Sequence, residues 1–328
     1  MPRAGLSRRA CLAAALPWLP FGRAAGAMGE FPTRAVRVVV PYSVGVGPDV
    51  VARSVAQQLE RRWGRPVVVD NKPGGSGITA FGEVRQCAAD GHTLFLADTA
   101  TLAVNPLLHP RLPYDPQRDL LPLSLLFRAT FVIWVGGASR FDRMSRLLDA
   151  ARRTPGAVSY ASLGHGHASH VAVETLARAA GVSLLHVPFK DAGAMLAAVA
   201  TAEVDFTVVG VNTAAPLMAV GRLRPLAVAA PTRLVAQPAI PTLTEAGGPA
   251  VTMQPWAALV TVAGTPAALV ERLRHDIAVV LGADEVLSQA EHAGFEITPS
   301  TPQAVRERVE ADIALYAPLV AEGRVARF

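Results

Sequence analysis

Residues 36–59 read VRVVVPYSVGVGPDVVARSVAQQL. Val36–Val40 is a short apolar run without clean alternation, the pattern of a strand covered on both faces. Pro41 stops the run, and Gly45 and Gly47 let the backbone bend. Beyond them Val50, Val51, Ser54, Val55, Gln58 and Leu59 follow helical spacing, so a helix is expected from about Asp49 to Gly64. Strand, glycine loop and amphipathic helix make the first part of a βαβ unit and point to an α/β fold.

The same alternation runs down the chain. Further strands are expected at Val67–Val69, Thr93–Ala97, Phe131–Val135, Val158–Ala161, Leu184–Val187, Val204–Val209, Leu226–Ala229 and Ala258–Val262. Their valine content fits parallel sheets buried on both sides. Asp142 is placed to cap a helix through Leu148, and His170 to Ala180 form another, ended by Gly181. Thr265-Pro266 and Thr301-Pro302 each pair a capping hydroxyl with a proline at the first helical position. The 328 residues suffice for two cores. Glycine–proline breaks near 110–130 and 238–250 are the expected crossing points. They divide the chain into a discontinuous lobe, 28–128 plus 252–328, and an inserted lobe, 129–251.

Residues 1–27 read as a signal peptide. Arg8-Arg9 precedes an apolar run from Ala10 to Phe21, and Ala25-Gly26-Ala27 offers a small-x-small cleavage site. The run is too short for a membrane-spanning helix. Ser7-Arg8-Arg9 loosely resembles a twin-arginine signal, and Sec export is equally open. Four of the 31 basic residues (Arg3, Arg8, Arg9 and Arg23) lie there with no acid, and the rest nearly balance the 26 acids. A near-neutral mature chain carries no general footprint for nucleic acid. Removing the signal leaves one cysteine, Cys87, and no intramolecular disulfide.

Three loops are candidate ligand contacts. The first, Pro41 to Asp49, contributes Tyr42, Ser43, Gly45, Gly47 and Asp49; a helix start with free N–H groups suits a carboxylate. Its glycine spacing matches no nucleotide motif. The second, Tyr160 to His170, contributes Ser162, His165, Gly166 and His167 and would face the first across a cleft. The third contributes Asp98, Thr99 and Thr101, as hydroxyl or acid groups at a strand end, or simply as a turn. Asn212, after the strand ending at Val209, either lines the cleft or closes a turn. His165, His167 and His170 in H-x-H-x-x-H spacing leave a zinc hydrolase as the alternative, although Ser169 stands where that motif has an aspartate. No Gly-x-Ser-x-Gly and no paired carboxylates stand out, so no enzyme is expected.

Taken together, the segments resemble the tripartite tricarboxylate transporter receptor family, the Bug or TctC-like proteins. The landmarks are Pro32 to Pro41, Val67 to Gly74, Asp90 to Leu94, Asn105-Pro106, Leu112 to Pro116, Tyr160-Ala161-Ser162, His186 to Lys190, Gly221 to Arg224, Ala239 to Thr242 and Ala263 to Pro266. The resemblance implies a two-lobed periplasmic binding protein of type II, each lobe a mostly parallel sheet flanked by helices. It implies a monomeric soluble receptor in the periplasm, with no catalysis, cofactor or metal, holding a small carboxylate or amino-acid-like ligand between the two βα loops. The implied partner is a TctA/TctB-type membrane permease, or the periplasmic domain of a sensor for an orphan receptor. The chain departs from the family pattern at Tyr42, Ser43, Val44, Val46, Pro48, Asp98, His165, His167 and Ala168, all at expected ligand contacts.

Overall fold

The computed structural model describes residues 31–328; the expected signal peptide, 1–27, lies outside the described residues. The chain forms eleven strands: β1 (Val36–Val40), β2 (Val67–Asn71), β3 (Thr93–Asp98), β4 (Leu120–Ala129), β5 (Val132–Gly136), β6 (Ser159–Ser162), β7 (Leu185–Pro188), β8 (Phe206–Val209), β9 (Leu223–Val228), β10 (Trp256–Val262) and β11 (Phe295–Ile297). They build two sheets, ordered β11-β4-β10-β3-β1-β2 and β7-β6-β8-β5-β9.

Both sheets are buried on both faces, which is why the strands read as valine runs. In the first, Val36, Val38, Val40, Leu94 and Leu96 meet the helices Gly47–Trp63 and Ala267–Leu281. Val39, Phe95 and Ala97 meet Ile78–Val84 and Pro302–Ala321 on the opposite side. In the second, Ile133, Val135 and Tyr160 share a core with Met144–Arg153 and Ala168–Ala180, and Val132 and Trp134 share one with Ala192–Ala200.

The sheets are mixed rather than mostly parallel. β1 runs parallel to β2 and β3, and β6 parallel to β7 and β8. β10 is antiparallel to β3 and β4, and β5 to β8 and β9. β5 and β10 each follow a point where the chain passes between the sheets, and β11 is antiparallel to β4 at the edge of the first sheet. β4 and β11 have no counterpart in the expected strands. β4 carries Pro122, which removes a donor from the ladder and reads as a break. It is accommodated opposite Val260, beside a register shift between Leu259 and Val260.

Two crossing segments lie side by side: the Ala129 and Phe131 N–H groups donate to the carbonyls of Pro255 (2.8 Å) and Met253 (3.0 Å). A third connection comes from residues 322–328. Glu322 pairs with Arg178 at 2.7 Å, Arg324 donates to the Val182 carbonyl at 3.2 Å, and the Phe328 N–H donates to the Leu108 carbonyl at 3.0 Å. Val104, Leu108, Val171, Leu319 and Val325 form a small apolar core across this seam.

Candidate ligand-binding cleft

The loop after β1 leaves the C-terminal end of a parallel strand, where α/β sheets place their ligands. Asp49, only 1% exposed, braces it from inside. Its Oδ2 accepts the Gly45 N–H at 2.8 Å and Arg53 Nε at 2.9 Å, and its Oδ1 accepts Asn71 Nδ2 at 2.8 Å. These donors hold the carboxyl below its usual range against the burial that opposes them. Gly45, at φ 84°, turns the chain so that its N–H reaches Asp49. The helix Gly47–Trp63 begins with no side-chain cap. Among the described residues the amides of Ser43, Val44, Val46 and Gly47 have no hydrogen-bond acceptor. Ser43 and Gly45 are exposed. This is a helix start with free donors and the positive end of its dipole, able to receive an anion.

Tyr42 and Asp98 meet beside this loop, the phenol donating to Asp98 Oδ2 at 2.5 Å. Burial and the adjacent Asp98 push the phenol well above its ordinary range. The other Asp98 oxygen accepts Thr101 N and Oγ1, at 2.8 and 2.9 Å. From the second lobe His167 comes into the field of Asp98: burial lowers its pKa and Asp98 opposes that shift. Its Nδ1 accepts the Ser169 N–H at 3.1 Å and so caps the helix Ala168–Ala180. Tyr42 and Asp98 thus meet in a direct hydrogen bond, and His167, at the start of the helix Ala168–Ala180, feels the charge of Asp98.

The other expected contacts are engaged inside the protein. Thr101 Oγ1 donates to Asp98, and Thr99 exchanges hydrogen bonds with the Trp256 backbone. Ser162, fully buried, bonds Gly164 and His186 Nε2. Asn212 donates to the Glu291 and His292 carbonyls at 2.8 and 2.7 Å, tying the second lobe to the first. His165 hydrogen-bonds the Ala326 carbonyl at 2.7 Å. The second loop is also no mirror of the first: the Leu163, Gly164, Gly166 and His167 amides all donate within their own segment.

The triad of the alternative reading, His165, His167 and His170, does not assemble, because His167 Nδ1 is turned to cap its helix. His165, His170 and His186 do come together, each with one ligand atom within 4.8 Å of the others. Burial and repulsion from neighbouring histidines lower His170 to about 3, and burial and His165 lower His186 to about 4. His186 is brought in by the parallel pairing of β7 with β6, opposite Tyr160. Sequence spacing alone carries no sign of that approach.

Gly166 sits at the seam with φ 72°, and a Cβ there would lie 2.7 Å from Leu108 Cδ1. Gly166→Ala is expected to cost about 2–4 kcal/mol, from left-handed strain plus overlap. Gly181→Ala, at φ 65° with open space around it, should cost only about 1 kcal/mol. Urea titrations of the two variants test the difference; equal losses would mean the Leu108 contact is soft.

Two mixed sheets flanked by helices and joined by paired crossing segments make a two-lobed α/β protein. The chain belongs to the tripartite tricarboxylate transporter family receptors, whose family model matches residues 51–322. It is 32% identical over 324 residues to a UPF0065 protein from the tcbD-tcbE intergenic region of Pseudomonas sp. strain P51, covering 98% of this chain and 96% of the relative. It is 30% identical over 210 residues to BugT of Bordetella pertussis, covering 62% of this chain and 63% of BugT. Among solved structures, R. palustris Rpa4515 with adipate superposes with a TM-score of 0.81 at 30% identity, over 91% of this chain and 100% of that one. MatC from Rhodopseudomonas palustris with bound malate gives 0.77 at 27%, over 88% and 99%. The family is one of periplasmic solute receptors rather than enzymes. No described helix is long and apolar enough to cross a membrane.

Proposed function

We propose that this protein is an exported periplasmic receptor whose two lobes, 28–128 plus 252–328 and 129–251, hold one small carboxylate and deliver it to a TctA/TctB-type permease. The observation that carries this reading is the uncapped helix start at Gly47, with the free amides of Ser43, Val44, Val46 and Gly47 beside it. A carboxylate seated there gains charge-assisted hydrogen bonds without needing an arginine. Asp98 tunes the other end of the ligand. An acid at the cleft repels a second carboxylate and favours an ammonium, ring N–H or hydroxyl group. The relatives solved with adipate and malate support the carboxylate end. The Tyr42–Asp98–His167 group supports an amino-acid-like or nitrogen-heterocyclic acid at the other.

The test is a thermal-shift screen of residues 28–328, in chelator, against mono-, di- and tricarboxylates, amino acids and nicotinate-like acids. A ligand at a hundred times its Kd adds about 2.7 kcal/mol of stability. A hit among amino-acid-like acids that Asp98→Asn weakens about tenfold or more is expected. Tyr42→Phe, which frees one Asp98 oxygen, is expected to weaken it about fivefold. A simple dicarboxylate bound more tightly by Asp98→Asn would keep the receptor and overturn the ligand class. Silence across the whole panel would overturn the receptor reading itself.

A further inference from the structure

We propose that His165, His170 and His186 form a binding site for one divalent transition-metal ion of the zinc, nickel or copper class. The site lies in the second lobe, shares no residue with the Tyr42–Asp98–His167 group, and goes beyond the carboxylate reading.

The three rings come from a loop, the first turn of the helix Ala168–Ala180, and the edge strand β7. His170 and His186 stack with centroids 4.0 Å apart, and His165 lies 4.9 Å from His170, tilted by 44°. Three nitrogens around a tetrahedral zinc are about 3.3 Å apart. The present separations, within 4.8 Å, therefore need the nitrogens to draw in by up to about 1.5 Å. His165 can supply that movement, since it stands between Gly164 and Gly166, both at positive φ.

The hydrogen bonds around the rings fix their free nitrogens. A carbonyl only accepts, so His165 donates Nε2–H to Ala326 and keeps a lone pair on Nδ1. This is the outer-shell arrangement that orients a metal-bound histidine. His186 is held through its Nε2 by the Ser162 hydroxyl at 2.6 Å. His170 Nδ1 accepts the Gly166 N–H at 3.1 Å, leaving Nε2 without a partner among the described residues. Binding through that Nε2 moves its proton to Nδ1 and turns the Gly166 amide away, with no net proton released. Tyr160, stacked on His186 at 5.0 Å, donates to Glu174, which sets a buried acid behind the cluster.

An all-imidazole set selects zinc, copper or nickel over magnesium or calcium, which prefer oxygen. Three protein ligands leave a coordination position for water.

The test uses untagged protein, residues 28–328, stripped with EDTA and dialysed. Zinc and nickel are titrated calorimetrically, and the cobalt(II) complex is read by visible absorption. One ion per chain is expected, with a nitrogen-only cobalt spectrum lacking the thiolate band that Cys87 would give. His165→Ala and His186→Gln should each raise Kd at least tenfold. Removing residues 326–328 should raise it about tenfold through the lost Ala326 acceptor. His275→Gln and His292→Gln, both exposed and remote in sequence, should leave it within twofold. His170→Gln is the variant most exposed to misfolding, since His170 is 2% exposed, so loop residue His165 decides the matter. No stoichiometric binding, or binding unchanged in both His165→Ala and His186→Gln, would overturn the proposal. Because the carboxylate screen is run in chelator, either reading can fail without the other.

Discussion

Lowering the pH from 7.5 to 5.5, with a chelator present, reduces the stability of this protein by about 2–3 kcal/mol. Most of the loss comes from His170 and His186, lowered to about 3 and about 4 in the folded chain, with smaller parts from His109 and His167, which burial also lowers. In the unfolded chain both titrate near 6.5, so below that pH the unfolded state binds more protons than the folded one. Their contribution is complete above about pH 6.5 and is lost progressively as pH falls, ending near about 4 for His186 and about 3 for His170. The groups facing them are His165 and His167, whose charge adds repulsion, and Tyr160, stacked on His186. Most carboxylates stay ionised down to pH 5.5, which isolates the histidines. Urea melts at half-unit steps read the slope. His186→Gln should remove close to half of it, and a flat profile from 7.5 to 5.5 would mean that both rings charge freely in the folded state.

Replacing Asp49 by alanine is expected to cost about 2–4 kcal/mol and to abolish carboxylate capture by the first loop. The side chain is buried and satisfies the Gly45 amide, Arg53 and Asn71 together. Arg53 reaches solvent, with 46% of its side chain exposed, so its charge is not stranded; the Gly45 amide loses its acceptor, and the Asn71 amide keeps only the Tyr42 carbonyl. Asp49→Asn retains one acceptor and should cost about half as much. Denaturant titration and the thermal-shift response to the best ligand measure both effects. An Asp49→Ala protein that keeps wild-type stability would show that the loop holds its form without this brace.

Much of the architecture could be read from local chemistry. Val36–Val40 was readable because a strand buried on both sides admits little but apolar residues, and the proline and glycine punctuation after it marked the loop. The helix begins at Gly47 rather than Asp49, two residues ahead of the expected start, because Pro48 fits an early helical position. β4 was hidden by Pro122, and β11 by being only three residues long. The site was less legible for a different reason. Thr99, Thr101, Ser162 and Asn212 have the chemistry of ligand contacts, but Thr99 and Asn212 are taken by backbone groups far away in sequence, at Trp256 and Glu291, and Thr101 and Ser162 by Asp98, Gly164 and His186. Residue type announces hydrogen-bonding capacity, and only the fold says who uses it. His186 is the converse case, an unremarked strand residue carried beside His170 by sheet pairing.

The connection made by residues 322–328 bears on how the two lobes can move. The paired crossings at 129–131 and 253–255 are adjacent and hydrogen-bonded, so by themselves they act as a flexible joint. The third connection touches the second lobe at Arg178, in the last turn of the helix Ala168–Ala180, at Val182, just past it, and at His165, before its start. Those anchor points span a 13-residue helix, about 20 Å. Attachments spread over such a length resist torsion as well as separation, whereas a single point would let the lobe swivel. Together with the paired crossings, this segment fixes the torsional relation between the two sheets through side chains and backbone at the C-terminus of the chain.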